Sequence, residues 1–323
     1  MTIDALVIGA GGQDGFYLVI ELLSAGKSVV AVYRNPESSL AAQDEFLKLG
    51  ALKSGHLVCV DAFLETSTIC QTLVTLYEPA VIFQLAGVNL PSVSTQGADL
   101  GVKELMFNAH CLITENFLQI LKGRSDTRII VALSSKMFAK PIDKDIRISS
   151  HSKPSPSDHY GITKSLAWDL IKRYREEGAV KANGVILFNH DSPRRRAGFL
   201  VPHLVEQFRR ALSGEQFHFE IQGWGHRADW SDSREIVQAL SLLMRTPFDT
   251  DFSIGAGSGT SVHQISLEVI RLLGLNQESF CEDYAIPKSV SFEPALIADL
   301  SEIGTLLPWA PKRTIASLII EQL

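Results

Sequence analysis

The feature that most constrains the fold of this 323-residue chain is a short apolar run ending in closely spaced glycines that lead straight into a helical pattern. Residues 5–15 read ALVIGAGGQDG, with Gly9, Gly12 and Gly15 spaced three apart. Glycines are needed there for a steric reason. A tight strand-to-helix turn without Cβ atoms lets a pyrophosphate approach the backbone N–H groups and the positive end of the helix. The plain alternative is an ordinary glycine turn, but the position between a clear strand and a clear helix points to a dinucleotide. Gly9, Gly12, Gln13, Asp14 and Gly15 are the expected contacts.

The first half of the chain goes on alternating short β-rich runs with helical patterns. A helix from about Gln13 to Ala25 precedes SVVAVY, and HLVCV, AVIFQLA and RIIVALSS follow. Longer helical stretches lie around Gly101–Lys122 and Ser157–Glu177, and NGVILF reads as one more buried strand. Such alternation predicts a parallel sheet with crossover helices. From Asn189 onward loops rich in Pro, Arg and Gly surround a helix near Val201–Leu212 and short strands such as FHFEI. The expected fold class is therefore α/β, a Rossmann-type doubly wound parallel sheet with a smaller C-terminal α/β substrate lobe. Residues 1–188 would form the cofactor domain and 189–323 mostly the second lobe, with some segments returning to the first. The polar, Pro- and Ser-rich stretch 140–158 reads as an active-site loop.

Composition narrows the function classes. An apolar fraction of 46 % and a charged fraction of 20 % are ordinary for a folded globular protein. A net charge of −6 argues against nucleic acid as a partner, because phosphate-backbone recognition needs a basic face. No apolar run is long enough to span a bilayer, and MTIDALVIGA lacks the pattern of a secretory leader, so no membrane association is expected. Cys59, Cys70, Cys111 and Cys281 form no close pair, so they read as free thiols in a reducing cytoplasm and no metal site is expected.

Arg34 stands at the end of the second strand, where an acidic residue usually marks NAD. A guanidinium there suits a 2′-phosphate, so NADP is expected, with NAD as the alternative; a solvent-facing Arg34 is the plain reading. Asp61 is expected near the adenine, and Leu85, Ala86 and Gly87 along the cofactor's edge. Tyr160 and Lys164, four apart at a helix start, project from one face. The phenol can exchange a proton with a substrate oxygen, and the ammonium can lower the phenol's pKa toward neutrality while holding the nicotinamide ribose. A hydroxyl of Ser134 or Ser135 could hold the same substrate oxygen.

With these residues the chain resembles the extended short-chain dehydrogenase/reductase family. GAGGQDGFYL, NGVILFNHDSPRR at 183–195, ADW at 228–230 and DLSEIGTLLPWAP at 299–311 are similar to the GDP-mannose 4,6-dehydratases and their near relatives. The resemblance implies a nucleotide-diphosphate sugar as substrate and a homodimer or larger homo-oligomer. It also implies that Ser134, Tyr160 and Lys164 are catalytic and that Ser135, Asn189, Arg194, Arg195 and Arg227 bind substrate. Dehydratases of this kind oxidise the sugar at C4, eliminate water across C5 and C6, and return the hydride to C6.

At one position the resemblance breaks. The glutamate that serves as elimination base lies two residues after the catalytic hydroxyl, and aligning Ser134 with that hydroxyl puts Lys136 there. Three readings stay open. Lys136 is desolvated and acts as the base; the enzyme performs no elimination and works as a C4 reductase, dehydrogenase or epimerase; or the alignment is off by one and Lys136 faces solvent. The second is preferred, a 4,6-dehydratase using Lys136 is the alternative, and a non-catalytic NADP-sensing protein is a third possibility. Ala228 replaces the arginine usual before Asp-Trp, with Arg227 one step earlier, and Glu293-Pro294 replaces an Arg-Pro pair. The loop after Arg34 lacks the second arginine common in the dehydratases, so their tetramer contacts are not carried over.

Overall fold

The structure, a computed structural model, describes residues 2–50, 56–89, 99–245 and 250–323. Its strands are β1 (Ile3–Ile8), β2 (Val29–Tyr33), β3 (Leu57–Asp61), β4 (Pro79–Gln84), β5 (Arg128–Ser134), β6 (Ile146–Ile148), β7 (Lys181–Leu187), β8 (Asn189–Asp191), β9 (Arg227–Asp232), β10 (Phe252–Ile254), β11 (Gly259–Ser261) and β12 (Leu296–Ala298). The helices, numbered in chain order, are α1 (Gln13–Ser24), α2 (Pro36–Lys48), α3 (Ser67–Tyr77), α4 (Leu100–Phe107), α5 (Ile113–Ile120), α6 (His159–Glu176), α7 (Leu200–Leu212), α8 (Ser233–Leu243), α9 (Val262–Leu272), α10 (Gln277–Asp283), α11 (Ser301–Leu306) and α12 (Ile315–Ile320).

The central sheet has the order β10-β7-β5-β4-β1-β2-β3, and each pairing is parallel. The strand order reverses between β1 and β4, the place where an open doubly wound sheet leaves a crevice for a ligand. Leu6 and Ile8 pack into the core on one face while Ala5 and Val7 pack on the other, so the strand reads as a continuous apolar run. Helix α1 follows because Phe16, Val19, Leu22 and Leu23 recur on one face, and it ends where Gly26 takes a left-handed φ of 73°.

Two segments cross between the halves of the chain. β10 extends the central sheet beside β7, and α8 packs into the same core face as α1. In return β6 pairs with β12. A separate core built on α7, α9, α10 and α12 fills the second lobe. Asp229 ties these pieces together: fully buried, its carboxylate accepts N–H bonds from Ala256, Gly257 and Ala298.

The expected strand FHFEI is absent. Residues 217–221 make no ladder pairing: Phe217 and Phe219 stack on each other at 5.6 Å and Phe219 joins Phe208, Phe280 and Tyr284 in an aromatic cluster. Their alternation reflects packing against α7 rather than a sheet edge. The long helix expected over 101–122 is present but interrupted: Asn108–Leu112 forms one π-helical turn between α4 and α5. Leu105 and Phe107 of α4 and Ile162 and Leu166 of α6 stay exposed on the outside. Cys59, Cys70, Cys111 and Cys281 are free thiols. Among the described residues no helix is long and apolar enough to cross a membrane.

Candidate active site

At the end of β1 the chain turns through Gly9, whose φ is +83°, and a Cβ there would stand 2.7 Å from the backbone nitrogen of Ala86. A Cβ on Gly15 would meet the carbonyl oxygen of Gly9 at 2.3 Å, so α1 can approach the loop only because that residue is glycine. The resulting cleft at the switch point is lined by Gly9, Gly11, Gly12, Arg34, Glu65 and Gly87, among others. Leu85 and Ala86 line it as well. These residues fit a dinucleotide: the N-terminus of α1, capped by Gly12, opens onto a groove that no side chain of the loop obstructs. Asp61 is exposed and does not line the cleft; Ala62, Leu64 and Glu65 do instead. The sequence reading missed Glu65, whose Oε1 lies 2.9 Å from Arg34 Nη2. Its pairing with Arg34 joins the ends of β2 and β3 and has no local motif.

Gln13 and Asp14 turn away from the loop toward the second half of the chain. The Ser192 hydroxyl donates to Gln13 Oε1 at 2.8 Å, the Ser233 hydroxyl donates to Asp14 Oδ1 at 2.6 Å, and His190 Nε2 lies 2.9 Å from Asp14 Oδ2. His190 Nδ1 must donate to the carbonyl of Phe188 at 2.6 Å, so pairing Nε2 with a carboxylate makes the ring an imidazolium. Burial alone would push the Asp14 pKa up, but the charge and hydrogen bond of His190, with Ser233 and Gln13, outweigh it and hold the carboxyl at about 2. Burial works against charge on His190 too, and Asp14 outweighs it, raising that pKa. This pair locks Asn189–Ser192 onto the start of α1.

Tyr160 and Lys164 come together on the first turns of α6, with the lysine nitrogen 5.9 Å from the centre of the tyrosine ring. Asp158 caps the helix by accepting the Gly161 N–H at 2.7 Å. Gly161 lets α6 seat against the turn that follows β5: a Cβ there would lie 2.2 Å from the carbonyl oxygen of Lys136. Ser134 stands at the end of β5, close enough to the phenol to lower its pKa. Ser135 is buried at the start of the same turn.

The electrostatics differ from expectation at the phenol. Burial pushes the Tyr160 pKa up to about 12, with the bond to Ser134 and the charge of Arg195 opposing it. The Lys164 ammonium donates to the carbonyl of Ala132 at 2.7 Å. Burial lowers Lys164 itself to about 8, against the opposing influence of Cys111 and Asp14.

The candidate substrate residues separate. Arg195 lies on the Tyr160 side, its guanidinium 3.7 Å from the centre of the Phe199 ring and its Nε 3.1 Å from Asp191. Arg194 turns the other way, stacking on Phe16 of α1 at 3.7 Å and pairing with Glu45 of α2. Arg227 is held by Asp145 at 2.9 Å and donates to the carbonyl of Gly259. Asn189 pairs with Trp230 in the β8–β9 ladder. Glu293 pairs with His226 at 3.0 Å. The Lys136 side chain is 43 % exposed, with its nitrogen 3.7 Å from Asp158, so it is not desolvated.

A family model described as GDP-mannose 4,6 dehydratase matches residues 6–322. The chain belongs to the GDP-mannose 4,6-dehydratase family. A relative named GDP-mannose 4,6 dehydratase 2, from Caenorhabditis elegans, is 25 % identical over 346 residues, covering 98 % of this chain and 87 % of the relative. In fold, the chain is similar to a dTDP-glucose 4,6-dehydratase from Bacillus anthracis solved with NAD, with a TM-score of 0.78 and 14 % identity over 99 % of this chain and 95 % of that one. It is similar as well to a UDP-glucuronic acid 4-epimerase from Bacillus cereus solved with its sugar nucleotide and NAD, with a TM-score of 0.76 and 19 % identity over 100 % and 98 % of the two chains.

Proposed function

We propose that this member of the GDP-mannose 4,6-dehydratase family is an NADP-dependent sugar-nucleotide oxidoreductase that acts at the sugar C4 without eliminating water. The observation that carries this reading is the contrast between Tyr160 and Lys136. Tyr160 is partly buried beside Lys164, within reach of the pKa-lowering influence of Ser134, whereas the Lys136 amine is 43 % exposed and lacks the burial that a lysine base needs.

When bound, the nicotinamide accepts or donates the hydride. The protein's part is proton transfer and orientation: Tyr160 takes the C4 hydroxyl proton or returns it, Ser134 holds the same oxygen, and Lys164 holds the nicotinamide ribose. Gly9, Gly12 and Gly15, with the N-terminus of α1, hold the pyrophosphate, and Leu85, Ala86 and Gly87 line the cofactor's edge. Asn189, Ser135 and Arg195 are the residues we assign to the nucleotide sugar: each of the three arginines is paired with a carboxylate, but Arg195 is the one whose charge acts on the Tyr160 phenol. A second reading, elimination with some other base, is favoured by the family match over 6–322.

One experiment separates the two. Purified protein incubated with GDP-mannose and NADP is analysed by mass spectrometry, in parallel with a 4-keto sugar nucleotide and NADPH. Reduction of the keto sugar with an unchanged GDP-mannose mass is the expected result. Loss of one water from GDP-mannose would overturn the proposed reaction and return Lys136 to consideration as the base.

The cofactor preference rests on Arg34, for which Glu65 competes with a 2′-phosphate. Arg34→Ala should cost about tenfold in kcat/KM with NADP and leave NAD unchanged, while Glu65→Gln should improve NADP; tenfold corresponds to about 1.4 kcal/mol, within the range of one charge-assisted contact. Equal losses for both cofactors in Arg34→Ala would sink the assignment.

A further inference from the structure

Of the cations near Tyr160, Lys164 and Arg195 already have roles, one on the nicotinamide ribose and one on the nucleotide sugar, and Lys136 has none. Its backbone is fixed to the helix that carries the phenol. Ser134 ends β5, Ser135–Met137 form one tight turn, and the Lys136 carbonyl seats against Gly161, where a Cβ would lie only 2.2 Å from its oxygen. Gly161 is the residue after Tyr160. The side chain leaves this turn beside the N-terminus of α6, with its nitrogen 3.7 Å from the capping residue Asp158.

That separation is longer than a hydrogen bond, and among the described residues the Lys136 side chain makes none. Asp158 is committed elsewhere: its Oδ1 accepts the Gly161 N–H at 2.7 Å, so the carboxylate already faces the positive end of α6. The ammonium keeps its three N–H donors for another acceptor, at a half-exposed position beside the reacting centre. Charge at this place reaches the chemistry, because after burial the Asp158 carboxylate is one of the causes that hold the Tyr160 pKa high. So placed, Lys136 is a receptor for an anion rather than a base.

Where that anion sits on the sugar follows from the atoms already assigned. With the C4 oxygen at Tyr160 and Ser134, the diphosphate on C1 lies across the pyranose ring, and the neighbours of C4 are C3 and C5. C3 carries a neutral hydroxyl in a hexose, whereas C5 carries C6, which can bear a carboxylate with the ring unchanged. We propose that the sugar of the substrate is a hexuronate and that the Lys136 ammonium is the specificity determinant that binds its C6 carboxylate. This choice of substrate accounts for both features of position 136. Elimination across C5 and C6 needs a hydroxyl on C6 as leaving group, and a carboxylate carbon has none, so the position requires no base and favours a cation. The inference rests on the C4 oxidoreductase reading above: the hydride leaves C4 for the nicotinamide, the O4 proton goes to the Tyr160 phenolate, and the carboxylate stays bound and unchanged.

The test measures dissociation constants by calorimetry, in the presence of NADP, for UDP-glucuronate against UDP-glucose and for GDP-mannuronate against GDP-mannose, and then the rate of nicotinamide reduction with each. Wild type should bind the uronate of at least one pair about tenfold more tightly than its neutral partner. In Lys136→Met that preference should fall to about threefold or less, and in Lys136→Arg, which keeps the charge, it should persist. A wild type without carboxylate preference in either pair, or an undiminished preference in Lys136→Met, would overturn the assignment whatever the rates. The reading beneath it fails separately. A Lys136-dependent preference, with no hydride transfer on these sugars or on the 4-keto sugar nucleotide, would keep the carboxylate site and sink the oxidoreductase. A wild type that binds none of these sugar nucleotides overturns both.

Discussion

Tyr160→Phe is expected to bind NADPH as the wild type does and to lose turnover by about 10²- to 10⁴-fold, the usual contribution of a positioned acid or base. The substitution removes one oxygen from a ring that is already partly buried and braced edge-on by His110, so the fold has little reason to respond. The effect belongs to the proton. In the direction of sugar oxidation the phenol must first lose its own hydrogen, and burial holds its pKa up at about 12 in this arrangement. The wild-type oxidation rate should therefore rise with pH through the neutral and mildly alkaline range, because the small phenolate fraction grows. That slope should vanish in Tyr160→Phe. Hydride transfer followed at the nicotinamide absorbance, with cofactor affinity measured separately, checks both parts. Unchanged turnover in the variant would remove Tyr160 from the chemistry, and a wild type with no turnover on any sugar nucleotide would leave only cofactor sensing.

The largest expected effect on stability lies away from the cleft. Asp251→Ala should lower the free energy of unfolding by about 3–5 kcal/mol, the cost of breaking a buried ion pair on one side. Asp251 is nearly fully buried just before β10, and its carboxylate receives both terminal nitrogens of Arg175 at 2.7 and 2.8 Å, the Trp168 indole N–H at 2.7 Å and the Gly184 backbone N–H at 2.7 Å. It thereby joins α6, which carries Tyr160 and Lys164, to β7 in the central sheet. Removing it takes the acceptor from the Trp168 indole and the Gly184 N–H and two bonds from the guanidinium, which keeps its bond to the Ala182 carbonyl, whereas Asp251→Asn keeps the shape and two of the acceptor sites and should cost less. Urea unfolding followed by tryptophan fluorescence and circular dichroism measures the difference. A loss below about 1 kcal/mol, as at an exposed pair, would show that this carboxylate does not anchor α6.

The two residues illustrate which features can be recognised locally. Gly9, Gly12 and Gly15 are recognisable because steric exclusion is a property of consecutive backbone atoms, and the alternation of apolar runs with helical patterns follows from periodicities within each element. Tyr160 and Lys164 are legible for the same reason: four residues on a helix define a shared face without reference to anything else. Asp251 is different. Its partners Trp168, Arg175 and Gly184 lie dozens of residues away, and nothing around it marks a buried charge.

The misplaced expectations have the same cause. FHFEI alternates like a strand, but its aromatic rings find α7 and α10 before any sheet edge. Arg194 and Arg195 are adjacent in sequence and identical in chemistry, yet Glu45 and Phe16 draw one to α1 and α2 while Asp191 and Phe199 keep the other near Tyr160. Glu65 beside Arg34 and His110 beside Lys164 emerge only when separate strands and helices meet.

The sequence by itself determined the doubly wound sheet, the glycine turn and the Tyr160–Lys164 face, because each depends on short-range geometry. The tertiary structure alone decided which charges are paired, which polar atoms stay unpartnered and how far each ionisable group is buried. Those properties depend on solvent exclusion and on distances between residues far apart in the chain, and both arise only when the elements pack together.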